Sequence, residues 1–151
     1  DRLLFVGAFS ENRYQVIKNI SVPMVIYGKG WGRQLPSCHD VKPFNISLRK
    51  VARLYGAHKY VLNVINSDNV QCGVNMRCFE AMAAKAVLVT EKVDDLPLCF
   101  DVANDLVLIS DFEKQVEDLE IGSRFHGISV KGAEKVLQSH IYDERVKSIL
   151  S

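Results

Sequence analysis

The chain has 151 residues, of which 48% are apolar and 25% charged, so it can bury one sizeable core and is too apolar for a disordered chain. A net charge of +1 excludes a broad electrostatic field that would recruit nucleic acid or an anionic membrane, so any anion site must be local. No apolar run approaches the ~18 residues of a membrane-spanning helix, which predicts a soluble chain without a membrane span.

Strands and helices alternate from the start of the sequence. A buried strand is predicted from Leu3 to Ala8, and a helix with the sequence SENRYQVIKNI follows, with Ser10 as its N-cap. A second strand, MVIYG, ends at Gly28. The segment GKGWGRQLPSCHD after it is predicted to be a loop.

The alternation continues through the middle of the chain. The helix SLRKVARLYGA has Ser47 as its N-cap candidate and Gly56 as a left-handed stop. The strand KYVLNVIN comes next, then a polar loop, a helix from about Val74 to Ala84 and the strand AVLVTE. One more strand, DLVLIS, precedes the helices FEKQVEDLE, GSRFHGISVKGAEKVLQSH and YDERVKSIL.

The predicted strands are apolar throughout, without the alternation of a half-exposed sheet. Such strands are buried on both faces, which predicts an α/β fold: a Rossmann-like parallel sheet with helices on both faces and a helical C-terminal segment. Ligands bind beyond the carboxyl ends of the strands in open sheets of this kind. We therefore expect the site in the loops after Ala8, Tyr27, Asn66 and Thr90.

The most informative stretch is CGVNMRCFEAMAAKAVLVTE, where a glycine-led turn runs into a helix. Gly73 permits close backbone approach, and the helix behind it begins with unpaired N–H groups that favour an anion. Arg77 can clamp a phosphate, and Glu80, one turn on, can accept two ribose hydroxyls. An anion beside a vicinal diol describes a nucleotide. The alternative is that Arg77 and Glu80 form a solvated pair on an exposed face.

Two further cations can face the same loops. Lys29 lies in the glycine-rich loop after the second strand, and Arg13 lies near the start of the first helix. The loop has the spacing GxGxG and does not follow the first strand, whereas an NAD-linked oxidoreductase requires GxGxxG there. The sequence therefore does not favour an NAD-linked oxidoreductase. The chain shows no serine–histidine–aspartate, HExxH or paired-carboxylate pattern, so it resembles a binding half more than a complete catalyst.

The cysteines point to no metal centre. Cys38, Cys72, Cys78 and Cys99 form no CxxC pair and have no histidine at ligand spacing. We expect free thiols, no bound metal and a cytoplasmic location.

The stretch YVLNVINSDNVQCGVNMRCFEAMAAKAVLVTE resembles the group 1 glycosyltransferases of the spore-maturation-protein type. Their pattern is LN, a polar loop, GxNxRxFEA, small residues and an apolar strand ending in threonine. The resemblance extends to LLFVGAFSENR and IYGKGW upstream and to NDLVLISDFE and GAEKVLQSHIYDERVKSIL downstream, which is nearly the whole chain.

This resemblance implies the C-terminal, donor-binding half of a GT-B enzyme, in which two Rossmann-like domains face each other across a cleft. Arg77 and Glu80 would be the catalytic residues, with Arg77 on the diphosphate and Glu80 on the ribose. The residues implied to bind the nucleotide sugar are Gly7, Arg13, Gly28, Lys29, Phe44, Asn45, Gly73, Asn75, Arg77 and Glu80. Phe44 and Asn45 would contact the base.

The implied function is transfer of a sugar from a UDP-, GDP- or dTDP-linked donor to an unknown acceptor, without a divalent metal, in glycan biosynthesis. The chain starts at Asp1 without a methionine, so we expect a missing N-terminal domain, and we expect residues 1–151 to be one domain that binds donor weakly and turns nothing over. A non-catalytic nucleotide-binding or regulatory domain is the alternative, and a sugar-nucleotide epimerase shares the architecture.

Two positions depart from the family pattern. Cys72 stands where related enzymes often carry a further glutamate that touches the transferred sugar, which puts the sugar contacts in question. Lys85 stands where the family usually has glycine. A lysine in the left-handed end of a helix costs about 1 kcal/mol.

Overall fold

The computed structural model describes residues 2–32, 35–42, 46–66, 73–121, 124–141 and 143–144, without the side chains of 116–121. Within these ranges the chain alternates between strands and helices as predicted. The elements are β1 (Leu3–Val6), α1 (Glu11–Ile17), β2 (Met24–Tyr27), β3 (Asp40–Lys42), α2 (Leu48–Ala57), β4 (Tyr60–Asn63), α3 (Met76–Ala83), β5 (Val87–Thr90), α4 (Leu96–Cys99), β6 (Val107–Leu108), α5 (Ile109–Ile121) and α6 (Arg124–Ser139).

The strands form one sheet in the order β3-β2-β1-β4-β5-β6, and every described pair is parallel. The predicted Rossmann-like parallel sheet is confirmed. Chain order proceeds outward in one direction from β1 to β3 and in the other from β4 to β6. The direction therefore reverses between β1 and β4, and at such a switch point the carboxyl ends of the strands leave a crevice.

The core has two layers, one on each face of the sheet. Along β1, Leu3 and Phe5 pack into one apolar cluster, while Leu4 and Val6 pack into the other. All residues of β1, β4 and β5 are buried. Because successive side chains point to opposite faces, a strand covered on both sides must be apolar at every position.

The edge strand β3 begins at the last residue of the segment that is predicted to be a loop. Asp40, Val41 and Lys42 pair with β2, so the loop assignment was wrong for its last residue. The Asp40 carboxylate lies 3.2 Å from the guanidinium of Arg2 and 2.7 Å from the ammonium of Lys42. A three-residue strand that begins with aspartate carries little sequence signal, because its stability comes from pairing with its neighbour.

The other sheet edge also differs from the prediction. Only Val107 and Leu108 of the expected strand DLVLIS pair with β5, and α5 begins directly at Ile109. Just before the strand, the Asp105 carboxylate accepts the N–H of Asp101 at 2.9 Å and closes a turn. A short apolar run fits a strand or a buried helix equally well, so periodicity did not separate the two. The short helix α4 was not predicted.

The ends of α1 and α2 agree only in part with the predicted capping residues. Ser47 caps α2 as expected, because its hydroxyl accepts the N–H of Lys50. Gly56 is not a left-handed stop: α2 continues through Ala57, and the His58 ring contacts the Leu54 carbonyl at 2.8 Å. Ser10 occupies the N-cap position of α1, but its side chain makes no capping hydrogen bond.

The start of α3, the cysteines and the last predicted helix can also be compared with the sequence. Helix α3 begins at Met76, two residues later than predicted. Cys38, Cys78 and Cys99 are free thiols, and Cys72 lies outside the described residues. No helix in the described ranges has both the length and the apolar character needed to cross a lipid bilayer. The last predicted helix, YDERVKSIL, lies almost entirely outside these ranges.

The end of α3 forms a left-handed turn at Lys85, which has φ 63°. The Ala86 N–H bonds the Ala81 carbonyl and the Lys85 N–H bonds the Met82 carbonyl, the pattern of a helix stop that normally uses glycine. We expect Lys85→Gly to raise the free energy of unfolding by roughly 1 kcal/mol, because glycine has no Cβ to strain at this φ. Urea denaturation measures the change.

Lys85→Ala is the matched control, because it removes the charge and keeps the Cβ. Its free energy of unfolding should stay within ~0.5 kcal/mol of the parent. Equal stabilisation by glycine and alanine would show that the backbone strain at Lys85 is not what limits stability.

Candidate anion-binding site

An open cleft of about 490 Å³ lies at the carboxyl ends of β1 and β4, where the chain order reverses. The amino end of α3 faces this cleft and is not packed shut. Its lining residues lie at and after the end of β1, in α1, in and just before α2, and in and just before α3. They are Val6, Gly7, Ala8, Arg13, Ile46, Leu48, Val51, Tyr55, Asn75, Met76, Arg77 and Glu80.

Arg13 is a buried cation on the wall of the cleft, with only 8% of its surface exposed. Its Nε donates to the Val64 carbonyl at 3.1 Å, and its Nη1 donates to the Ala8 carbonyl at 3.1 Å. These two bonds tie α1 to the loops that follow β1 and β4. Burial lowers the pKa of Arg13, and the nearby charge of Arg77 lowers it further, while Glu91 raises it.

Arg77 and Arg13 both contact the ring of Phe5, and the charge of Arg77 acts on Arg13. The Cζ of Arg77 is 5.5 Å from the centroid of the Phe5 ring, and the Cζ of Arg13 is 5.7 Å from it. Neither arginine forms a salt bridge within the described ranges. Glu91 lies near Arg13, but its carboxylate accepts the N–H of Ile65 at 2.9 Å. Two like charges with no paired carboxylate favour a bound anion.

The first turn of α3 adds backbone donors to this site. Asn75 is the N-cap, but its side chain makes no capping bond. The N–H of Cys78 bonds back to the Asn75 carbonyl, whereas the N–H groups of Met76 and Arg77 have no partner inside the helix. Together with the helix dipole, these groups attract negative charge toward the cleft.

Glu80 and Tyr55 both line the cleft. Glu80 is exposed, whereas Tyr55 is 3% exposed. Burial raises the pKa of the Tyr55 hydroxyl, the Arg77 charge lowers it, and the Glu80 charge raises it. The tyrosine hydroxyl therefore lies within electrostatic reach of both α3 side chains. Sequence reasoning missed Tyr55, whose helical spacing from Val51 indicated only a buried face of α2.

A second, mostly apolar groove of about 430 Å³ continues from the cleft between α2 and α3. It shares four residues with the cleft and adds three small side chains. Its lining residues are Leu48, Val51, Ala52, Tyr55, Glu80, Ala83 and Ala84. The groove and the cleft together present apolar side chains, the carboxylate of Glu80 and the cations Arg13 and Arg77.

Of the predicted site residues, the cleft brings together Gly7, Arg13, Asn75, Arg77 and Glu80. The three other predicted site residues that lie in the described ranges do not line the cleft. Gly28 is buried beneath the tip of β1, the exposed Lys29 accepts the N–H of Phe9 through its carbonyl, and Gly73 has φ +105°.

Phe44 and Asn45, the predicted base contacts, lie outside the described residues. Their role stays a prediction.

Gly28 acts through packing. A Cβ at this position would lie 1.8 Å from the Gly7 carbonyl oxygen and 2.7 Å from Nε1 of Trp31, which donates to that oxygen at 2.7 Å. We expect Gly28→Ala to lower the free energy of unfolding by about 1–3 kcal/mol, because backbone atoms must move to admit the methyl group. Thermal and urea unfolding measure the loss.

Gly32→Ala is the control in the same loop, since a Cβ there meets nothing within 4 Å. It should leave stability within ~0.5 kcal/mol of the parent. If Gly28→Ala were equally harmless, the close contact between the tips of β1 and β2 would not be a constraint on the fold.

The fold is shared with several solved structures, one of which is a glycosyl transferase domain. TarM superposes with a TM-score of 0.69 at 15% identity, over 99% of this chain and 34% of TarM. The C-terminal domain of the group 1 glycosyl transferase LpcC from Francisella tularensis gives 0.70 at 14% identity, over 93% of this chain and 87% of that domain. Anabaena Alr3699/HepE, solved in complex with UDP-glucose, gives 0.65 at 10% identity, over 99% of this chain and 49% of HepE.

A family profile identifies the family of this chain. The chain spans about a third of TarM and half of HepE, so it corresponds to one part of those proteins. A search of curated protein sequences finds no match. The profile of the glycosyl transferase-like family matches residues 4–151, and the chain therefore belongs to the glycosyl transferase-like family, with the Rossmann-like fold of GT-B glycosyltransferase domains.

Proposed function

We propose that this chain is the donor-binding domain of a glycosyltransferase, which holds the diphosphate of a nucleotide sugar in the cleft at the switch point. One observation carries the proposal: Arg13 and Arg77 lie over the same phenyl ring with no salt-bridge partner in the described ranges. A diphosphate would supply the negative counter-charge for these two cations. The backbone donors at the start of α3 reinforce the same position.

This arrangement suits the chemistry of glycosyl transfer. When the bond between the anomeric carbon and the diphosphate breaks, negative charge develops on the leaving group. Donors that are already held in place stabilise this charge more than they stabilise the ground state, and the reaction is accelerated as a result. Arg13 is fixed by two carbonyls before any ligand arrives, so little side-chain entropy is lost on binding.

Glu80 is proposed to bind the ribose. It lies one helical turn after Arg77, both side chains line the cleft, and within the described part of the chain they form no ion pair with each other. A carboxylate accepts hydrogen bonds from two neighbouring hydroxyls, as a ribose diol requires. The apolar groove beyond Glu80 can then cover the flat face of the base.

The remainder of the enzyme is proposed to lie in a second domain. The solved relatives extend well beyond the part that this chain matches, and the acceptor and any general base are assigned to that part. We further propose that transfer needs no divalent cation, because the guanidinium groups take over the neutralisation of the diphosphate. A UDP-linked sugar is the first donor to test, since HepE was solved with UDP-glucose.

The proposal predicts nucleotide binding by the isolated chain. We expect UDP to bind in isothermal titration calorimetry with EDTA present, and Arg77→Gln to weaken the affinity by roughly 30-fold, ~2 kcal/mol, because the variant leaves the diphosphate short of one charged partner. Arg53→Gln is the matched control, since Arg53 is exposed on α2 and does not line the cleft.

The comparison has clear outcomes. Arg53→Gln should bind UDP as the parent does. Equal losses in both variants would indicate a diffuse charge effect, and no binding of UDP, GDP or dTDP by the parent would remove the basis for a donor site.

Glu80 allows a second test, directed at the sugar ring. The parent should bind UDP about tenfold more tightly than 2′-deoxyUDP, because the deoxy compound removes one hydroxyl from a charged acceptor. Glu80→Gln should bind both nucleotides with similar affinity. Glu134→Gln on the exposed face of α6 is the control and should keep the preference. A parent that does not distinguish the two nucleotides would contradict the ribose assignment.

A further inference from the structure

Asn63 is a buried polar residue at the last position of β4, with 1% of its surface exposed. Its Nδ2 donates to Oγ1 of Thr90 on β5 at 3.0 Å. Its Oδ1 accepts from Nδ2 of Asn75 at 2.9 Å and from Nη1 of Arg77 at 3.4 Å. One amide thus connects two strands of the sheet to the start of α3.

The orientation of this amide follows from its partners. A guanidinium group only donates hydrogen bonds, so the atom of Asn63 that faces Arg77 must be the oxygen. The nitrogen then faces Thr90, whose hydroxyl can accept. Asn75 is held in turn, because its Oδ1 accepts from the Cys78 thiol at 3.6 Å. The N-cap side chain of α3 is therefore committed to the sheet and leaves the first N–H groups of the helix uncapped.

The neutrality of the Asn63 amide is as important as its shape. An aspartate at this position would have nearly the same size and would also accept from Arg77. It would, however, place a negative charge against the guanidinium, in a site where burial strengthens the interaction. Arg77 would then be paired before any ligand arrived. The neutral amide orients Arg77 and leaves its positive charge available.

We propose that Asn63 is a positioning residue for the diphosphate: it holds Arg77 and Asn75 in the cleft through a neutral acceptor, so that the charge of Arg77 is directed to the ligand. The inference rests on the proposed donor-binding function. It adds a residue that does not line the cleft and acts through its neighbours.

Two variants separate this role from simple packing. Asn63→Asp preserves the shape and introduces a charge, whereas Asn63→Ser changes the shape and stays neutral. Positioning through a neutral acceptor predicts that the aspartate variant binds UDP at least tenfold more weakly than the parent and more weakly than the serine variant. A purely steric role predicts the reverse order, because serine leaves a gap and aspartate does not.

Salt dependence supplies a readout that a structural role would not change. UDP titrations of the parent and of Asn63→Asp are compared at several salt concentrations, with unfolding curves to show that each variant is folded. The aspartate variant should show the smaller salt dependence, because one cation of the site is already paired. Asn19→Asp, an exposed residue outside the cleft, controls for the change in net charge and should bind as the parent does.

The outcomes are distinguishable. If the parent binds UDP and Asn63→Asp binds it equally well, the positioning role is overturned while the donor site stands. The role is also overturned if serine is the weaker of the two folded variants, or if Asn63→Asp does not fold and the serine variant binds as tightly as the parent. If the parent binds no nucleotide, the proposed function fails and this inference fails with it.

Discussion

The site depends on two guanidinium groups that are held over one phenyl ring. Phe5 is fully buried in β1, and Arg13 and Arg77 approach its ring from helices that follow different strands. The contact of each cation with the ring is favourable, but their mutual repulsion is not, and it contributes to the lowered pKa of Arg13. A site that concentrates like charges in this way is complementary to an anion. This local positive charge in the cleft, and not the net charge of +1, is what favours an anionic ligand.

The parallel sheet makes this arrangement possible. Because β1 and β4 are neighbours and run in the same direction, the segments after both strands meet at one edge. Arg13 bonds the Val64 carbonyl beyond β4, and Asn63 bonds Asn75 at the start of α3. The helices are thus tied to the strand tips by side chains as well as by chain connectivity, and the cleft between them is defined before a ligand binds.

The comparison with solved relatives shows which features the fold carries and which belong to this chain. At 10% to 15% identity the structures share the Rossmann-like architecture, and the fold alone does not transfer a substrate. The groups proposed to bind a diphosphate are therefore this chain's own arginines and the uncapped start of α3. The neutral amide at Asn63 contacts Arg77 and leaves the charge of that arginine unpaired.

The sequence alone predicted the class of fold, which the structure confirms, and part of the candidate site, whose role stays a prediction. Continuous apolar strands required burial on both faces, and the glycine-led turn before α3 located Arg77 and Glu80 where a helix begins. Lys85 was expected in a left-handed turn, and its φ of 63° agrees. The strands and the turn are local features, which neighbouring residues suffice to predict, whereas the expectation for Lys85 came from the resemblance to the family.

Features that depend on contacts between distant segments became visible only in the folded chain. The strand β3, the immediate change from β6 to α5 and the packing role of Gly28 arise from pairing with other elements. Tyr55 gave no signal in the sequence, and Asn63 appeared there only as part of the LN pattern, because their relation to Arg77 exists only after α2, β4 and α3 have come together. The physical reason is that a hydrogen bond or a charge interaction depends on distance in space, which sequence spacing within one element does not contain.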